Sequence, residues 1–359
     1  MGAKHFGARV TRLEDPALLS GHGRFTDDIK LPGALNSCFV RSPYGHAKIK
    51  SIDTSAALAL PGVHAVFTAQ DLPEPMRSER IPMMLPVANN KTMRTQHCLA
   101  LDEVNYVGQA VAVVIADTRS IAEDAVAMVA VDYELLPSAS DVRDAIKPGA
   151  PQAHSDVPSN VALVVPTKFG DVEGAFAKAA HVFEEAIWAH RGGGMAMEAR
   201  AVLASYEPAT DMLTVWSSTQ TPHLGRRTLA DMLSRDPESI RMIAPDVGGG
   251  FGPKAPFYAE EAVIPAVAMK LGRPIKWFED RREHFMCAIQ ERDQYWTVAV
   301  AVDADGKLLA FRGSMLHDTG AFTPWGIVMP YIAAVTVPGP YVMPAYSLCL
   351  LYTSPSPRD

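Results

Sequence analysis

Cysteine is scarce in this sequence: Cys38, Cys98, Cys287 and Cys349 stand alone, with no C-x-x-C pair and no histidine at ligand spacing. A zinc site or an iron–sulfur cluster needs several soft ligands close together, so no metal-ligating set is expected on this chain, and four buried or half-buried thiols are expected instead. A basic surplus is also missing. With 33 Lys+Arg against 40 Asp+Glu, and no basic stripe interleaved with aromatics, a nucleic-acid partner has no electrostatic support. No apolar run nears the about 20 residues of a membrane span. The start Met1-Gly-Ala-Lys-His-Phe6 has neither the apolar core nor the cleavage site of a leader, so the cytoplasm is the expected compartment. No internal repeat is evident. What remains, 359 residues that are 48% hydrophobic and 20% charged, suffices for two domains with cores of their own and suits a small-molecule enzyme.

Glycine is abundant in one place. In Ile243-Ala-Pro-Asp-Val-Gly-Gly-Gly-Phe-Gly-Pro-Lys254, four glycines surround one aromatic and meet a lysine. Glycines this dense belong where the main chain takes positive φ or approaches another molecule closely. Consecutive amides in such a loop form an anion nest, and the residues from Tyr258 onward read as a helix start, so a phosphate or pyrophosphate-bearing cofactor is the natural ligand. A tight turn without a ligand is the alternative. The familiar glycine loops fit badly. A G-x-x-x-x-G-K-S/T loop from Gly248 needs glycine at Pro253 and a hydroxyl at Ala255, and G-x-G-x-x-G from Gly248 fails at the same proline. Started at Gly250, the second pattern closes on Ala255, a weak match.

Residues up to about Lys30 read as an extended arm lying over another surface. From Leu35 to Pro137, strand-like runs at 37–40, 47–52, 65–68, 110–116 and 128–133, with a helix at 120–126, make a compact α/β unit. Pro137, Pro148, Pro151, Pro158 and Pro166 mark an extended connector and a domain boundary. Beyond it the pattern predicts a helix over 172–180 and strands over 182–189, 201–206 and 213–217. A helix over 224–233 and a strand over 240–243 then lead into the glycine loop. A helix over 259–271, kinked or restarted at Pro265, stops at Gly272-Arg-Pro274, followed by a strand over 275–278. Glu279 to Glu283 reads as a charged corner. Strands over 295–302 and 308–314 flank the hairpin turn Asp303-Ala-Asp-Gly306.

Gln220 lies just past the 213–217 strand, where its amide can reach a ligand held by the glycine loop; a turn residue before Thr221-Pro222 is the plain alternative. His190-Arg191 and Gly192–Gly194 form a second glycine cluster, but one histidine beside a guanidinium is a poor metal set. Lys254 either neutralises a phosphate or pairs with a carboxylate of the following helix. Glu260 and Glu261, adjacent on a helix, point about 100° apart and cannot serve one ligand as acid and base.

The glycine loop resembles the GGGFG-x-K signature of the molybdenum hydroxylases, the family of xanthine dehydrogenase, aldehyde oxidase and the aerobic carbon monoxide dehydrogenase large subunit. Separate blocks carry the resemblance along nearly the whole chain: Arg12 to Asp28, Val40 to Ala47, Tyr106 to Val114, Gly170 to Glu173, Met197-Glu-Ala-Arg200, Ser218 to His223, Gly272 to Trp277, Asp280 to Glu283 and Asp318 to Phe322. It implies an α/β (α+β) fold: an arm at 1–18, an α/β hammerhead at 19–137, a linker at 138–166, and an incomplete first molybdopterin-binding domain at 167–347. By resemblance Gln220 hydrogen-bonds an oxo ligand of molybdenum, and Gly249 and Phe251 contact the pterin dithiolene while Gly248, Gly250 and Gly252 keep the backbone free. Glu198 and Arg200 are expected to form a structural ion pair beneath it. The implied cofactor is molybdenum-molybdopterin, with the cytosine dinucleotide form allowed. Iron–sulfur clusters and FAD would sit on partner subunits, in a dimer of heterotrimers.

Two departures qualify the resemblance. Purine-oxidising members carry glutamate where this chain has Ala255 and an arginine near Ile332, so xanthine is disfavoured and an aldehyde, an N-heterocycle or carbon monoxide is the expected substrate. After about Ser347 the family pattern ends, and 348–359 read as a non-native tail resembling translated adapter sequence; the general base expected further on is absent. The chain is therefore expected to be a catalytically incomplete fragment of an enzyme, with a non-catalytic cofactor-binding or assembly protein as the alternative.

Overall fold

The computed structural model describes residues 6–88, 90 and 92–354; residues 1–5 of the expected arm and 355–359 of the expected tail lie outside the described residues. In chain order the strands are β1 Leu35–Arg41, β2 Ala47–Asp53, β3 Val63–Thr68, β4 Glu103–Val104, β5 Ala110–Ala116 and β6 Ala130–Leu135. There follow β7 Val161–Phe169, β8 His181–Ala189, β9 Ala201–Glu207, β10 Met212–Ser217, β11 Ile240–Ile243, β12 Ile275–Phe278, β13 Gln294–Val302, β14 Leu308–Asp318 and β15 Ala345–Thr353. The mixed α/β class is as expected.

The strands form three sheets: a seven-stranded one in the order β11-β10-β9-β12-β1-β5-β3, a five-stranded one, β7-β15-β14-β13-β8, and a three-stranded one, β4-β2-β6. The large sheet crosses the proline-rich connector. Strand β1 pairs parallel with β12 from Leu35 opposite Ile275 to Ser37 opposite Trp277, so strands from both sides of the connector share one ladder. One apolar core follows from this, with Phe39, Phe67 and Val113 packed in the same cluster as Val202, Ala262, Val263 and Trp277. Strand β5 is buried along its whole length, which explains its uninterrupted Ala/Val/Ile composition.

The glycine loop leaves the end of β11 and precedes the helix Ala259–Leu271, as its flanks predict. That helix runs unbroken through Pro265: Ala259 to Ala268 are all buried, and packing holds the turn that a proline would otherwise break. Gly272 ends it at φ 61°, the left-handed conformation expected of a helix stop.

Several expectations change. The charged corner is the start of a helix, Arg281–Cys287, because Asp280 accepts from the Glu283 amide and Glu283 from the Asp280 amide. Within the arm, Asp15–Leu19 is a short helix with proline in its first turn, and the Arg24 amide donates to Asp246 beside the glycine loop. Residues 161–166, counted with the connector, open β7. Residues 348–353, counted with the tail, complete β15 between β14 and β7, where Leu348, Leu350 and Tyr352 alternate into the core. Their period-two apolar pattern is what the sheet selects. A helix at Val328–Thr336, for which no expectation was made, packs against β15.

Candidate functional site

Residues 194–198 and the turn after β10 pack against the glycine loop, and Arg281, at the start of the helix Arg281–Cys287, reaches the carbonyls of Ala196 and Met197. Gly249 and Gly252 have φ near 98° and 100°, and Phe251 between them has φ 53°. The loop therefore runs through the left-handed region three times, at two positions where a side chain is strained whatever the space. Gly248 and Gly250 are needed for a different reason. A Cβ at Gly248 would lie 2.5 Å from the Glu198 Cβ, and one at Gly250 would lie 2.5 Å from Cδ of Gln220. Phe251 is 75% exposed, so its ring faces away from any protein core.

Gln220 sits on the loop as its place after β10 predicts. Its amide N–H donates to the Lys254 carbonyl at 2.8 Å, and its Oε1 accepts from the Gly252 N–H at 3.0 Å. That bond leaves the side-chain NH2 with no partner among the described residues, pointing from an exposed position beside the loop glycines. Thr221 Oγ1 donates to the Ala255 carbonyl at 2.7 Å and Thr219 Oγ1 to that of Lys254 at 3.2 Å, so this turn and the exit of the loop are stitched together.

Lys254 is neither at an open anion site nor paired with the following helix. Its ammonium is buried and bonds Glu198 Oε2 at 2.8 Å, and the same oxygen accepts from the Gly248 N–H at 2.8 Å. Burial lowers the Lys254 pKa, and the Glu198 carboxylate opposes that shift. Glu198 Oε1 is buried and has no partner. Glu198 and Arg200 thus do not pair with each other, in contrast to the expectation: Glu198 is held by Lys254, and Arg200 by Glu279 and Glu260. Arg200 binds Glu279 and, at 3.0 Å, Glu260, and its guanidinium lies 3.8 Å from the Tyr258 ring centroid. Glu260 also accepts from Arg41 of β1 at 2.8 Å, which makes a buried charge network across the long sheet. Burial by itself would raise the Glu279 carboxyl; the charge of Arg200 and the His284 hydrogen bond overcome it and hold the group at about 2.

Glu261 faces elsewhere, accepting from Ser217 Oγ at 2.8 Å and the Tyr258 N–H at 3.0 Å. The Tyr258 N–H at the helix end is thereby capped by the helix's own carboxylate. Burial pushes Glu261 up to about 7. Arg191 is tied to Asp293 and Asp318, and His190 packs on Trp188 at 3.9 Å between ring centroids, so the second glycine cluster gathers no metal set. Arg281 is a site residue that sequence reasoning missed. One arm of its guanidinium donates to the carbonyls of Ala196 and Met197, and its Nη1 is buried without a partner. Its only signal was its place in the Asp280 to Glu283 block.

A model of the molybdopterin cofactor-binding domain matches residues 153–352, more than half of the chain, and a model of the aldehyde oxidase and xanthine dehydrogenase a/b hammerhead domain matches residues 20–137. The chain is 39% identical over 343 residues to the nicotine 6-hydroxylase large subunit of Paenarthrobacter nicotinovorans, covering 94% of this chain and 42% of that one. To the carbon monoxide dehydrogenase large chain of Afipia carboxidovorans it is 38% identical, covering 88% of this chain and 40% of that one. The crystal structure of quinoline 2-oxidoreductase from Pseudomonas putida 86 superposes with a TM-score of 0.90 at 34% identity, over 97% of this chain and 44% of that one. The chain spans about two fifths of the length of these curated relatives. A hammerhead domain followed by a molybdopterin-binding domain makes this chain a member of the molybdenum hydroxylase large-subunit family.

Proposed function

We propose that the chain is the cofactor-holding portion of a molybdenum hydroxylase large subunit, an oxidoreductase that hydroxylates an aldehyde, an N-heterocycle or carbon monoxide with oxygen from water. The observation that carries this reading is the loop of Gly248, Gly249, Gly250, Phe251 and Gly252 seated on Gln220, bordered by Glu198 Oε1 and Arg281 Nη1, two buried polar atoms without partners. A buried acceptor and a buried donor left unpaired are each costly unless a ligand completes them. A molybdopterin, whose ring edge carries donors and acceptors, fits that need. When bound, the cofactor supplies the redox chemistry, and the protein supplies position and electrostatics.

Gln220 orients the group through its free NH2 and adds no charge in doing so. Gly249 and Gly252 let the backbone approach the cofactor, and the Phe251 ring closes over it. The pterin is taken in its cytosine dinucleotide form. Iron–sulfur and FAD subunits carry electrons away, in a dimer of heterotrimers in the cytoplasm; among the described residues no helix is long and apolar enough to cross a membrane. The relatives named for nicotine 6-hydroxylation and carbon monoxide oxidation support the reaction type. The test is the molybdenum and pterin content of the full-length protein isolated with its neighbouring gene products. Stoichiometric pterin that disappears in Gly249→Val is expected; equal pterin in both would show that the loop does not hold the cofactor.

A further inference from the structure

The second glycine cluster, Gly192 to Gly194, lies against the first. A Cβ at Gly194 would stand 2.9 Å from Cβ of Phe251, 2.9 Å from Cδ of Pro253 and 3.1 Å from the Phe251 carbonyl oxygen. These atoms belong to the main chain, its first side-chain carbon and a proline ring, so none of them can swing aside as the end of a flexible side chain would. Gly194 is not among the residues with positive φ, so the missing side chain there is required by space and not by backbone strain. The Phe251 ring extends the same contact. A Cβ at Gly249 would stand 2.7 Å from Cε2 of that ring and 3.2 Å from Cβ of Ala196. The ring is therefore folded back over Gly249, on the side of the loop where residues 194–196 pass, while Phe251 stays 75% exposed.

Both sides of this contact are pinned. On one side Gly192 exchanges two backbone hydrogen bonds with Glu291, at 3.0 and 2.8 Å, the Ala196 N–H donates to the Gly194 carbonyl at 3.0 Å, and Arg281 donates to the Ala196 carbonyl at 2.6 Å. On the other, Tyr258 Oη donates to the Pro253 carbonyl at 2.5 Å, and Gln220 Oε1 accepts from the Gly252 N–H at 3.0 Å. A methyl group at position 194 would have to push one of them away. Phe251 is the member that yields, because at φ 53° its backbone is already strained while its neighbours are tied. Gly193 differs in this respect: a Cβ there meets the tip of the Met195 side chain, which has three rotatable bonds and can turn away.

We infer that Gly194 is a positioning residue: its bare α-carbon is the seat of Phe251 and fixes that ring over Gly249, where it covers the cofactor. The inference rests on the hydroxylase reading for what the ring covers, but not for the seat itself. The test places para-fluorophenylalanine throughout the full-length protein, made in a host without pterin, and follows its fluorine NMR resonances, each assigned by substituting leucine for one phenylalanine at a time. Gly194→Ala should shift or broaden the Phe251 resonance and leave those of the core residues Phe39 and Phe67 in place, whereas Gly193→Ala should move none of them. In a host that makes pterin, Gly194→Ala should lower the pterin content about tenfold, the scale of a methyl group forced into a rigid contact, and Gly193→Ala should retain the parent's content. Circular dichroism establishes that each variant is folded. If Gly194→Ala alone does not fold, Phe251→Gly is added to remove the Cβ in its way: recovery of the fold supports the seat, and failure to recover overturns it. An unmoved Phe251 resonance, equal effects of the two alanine variants, or parental pterin content in Gly194→Ala overturns the inference. Pterin in the parent with an unmoved resonance overturns the seat and leaves the hydroxylase reading standing; a moved resonance with no pterin in the parent supports the seat and counts against that reading.

Discussion

The ammonium of Lys254 and the carboxylate of Glu198 meet at 2.8 Å, and the carboxylate oxygen that accepts from the lysine also accepts from the Gly248 N–H. One side chain therefore holds both ends of the glycine loop. Lys254 is 2% exposed, so its charge has almost no water to fall back on. Burial lowers its pKa, and the carboxylate opposes that shift.

Glu198→Gln should accordingly destabilise the fold by about 3 kcal/mol, the cost of leaving one member of a buried pair without its partner. Urea denaturation measures this. Adding Lys254→Met should restore a large part of the loss, since the stranded charge is then gone. A single variant with an unchanged midpoint would mean that the pair contributes nothing.

Gly250 and Gly252 separate space from backbone strain. Gly250→Ala places a methyl group 2.5 Å from the Gln220 amide carbon and should displace that side chain. Gly252→Ala meets open space, but at φ 100° it should cost about 1 to 3 kcal/mol of stability. Thermal melts together with pterin content distinguish the two: the first change should lower pterin uptake more than stability, the second the reverse. Equal behaviour of the pair would contradict this division.

Gln220→Ala removes the acceptor of the Gly252 N–H along with the free NH2. The fold should persist, because Gln220 is exposed, while the Gly252 amide loses protection in hydrogen exchange. In the full-length enzyme, turnover should fall by the equivalent of about 1 to 3 kcal/mol. Unchanged turnover at full molybdenum occupancy would sink the role assigned to Gln220.

Glu261 predicts a pH dependence. Burial raises its pKa from 4.5 to about 7, with the Ser217 hydroxyl and the Tyr258 N–H opposing the rise. The folded state therefore holds the proton more tightly than the unfolded one. The stability linked to this group is fully present below the unfolded value and is lost as pH rises through about 7. Glu261→Gln, which keeps an acceptor for the Tyr258 N–H, should flatten the stability profile between pH 5 and pH 8 and be more stable than the parent at the upper end. Parallel profiles would show that Glu261 does not titrate in this window.

The sequence by itself determined what is local. The glycine loop, its strand before and helix after, the stop at Gly272 and the hairpin turn at Asp303 to Gly306 all follow from backbone freedom and hydrogen bonding within a few residues. The order of the matching blocks was legible for the same reason, since each is a short contiguous run. The long-range pairings were decided only by the tertiary structure. Nothing near Arg41 in the chain announces Glu260, and nothing near Lys254 announces Glu198, because a buried charge chooses its partner by proximity in space. The proline-rich stretch reads as a boundary, yet β1 hydrogen-bonds β12 across it, since strand edges pair wherever packing brings them together. Burial likewise moved residues 348–353 from an expected tail into a sheet interior: alternating apolar side chains specify a strand, and only the neighbouring β14 and β7 specify where it lies.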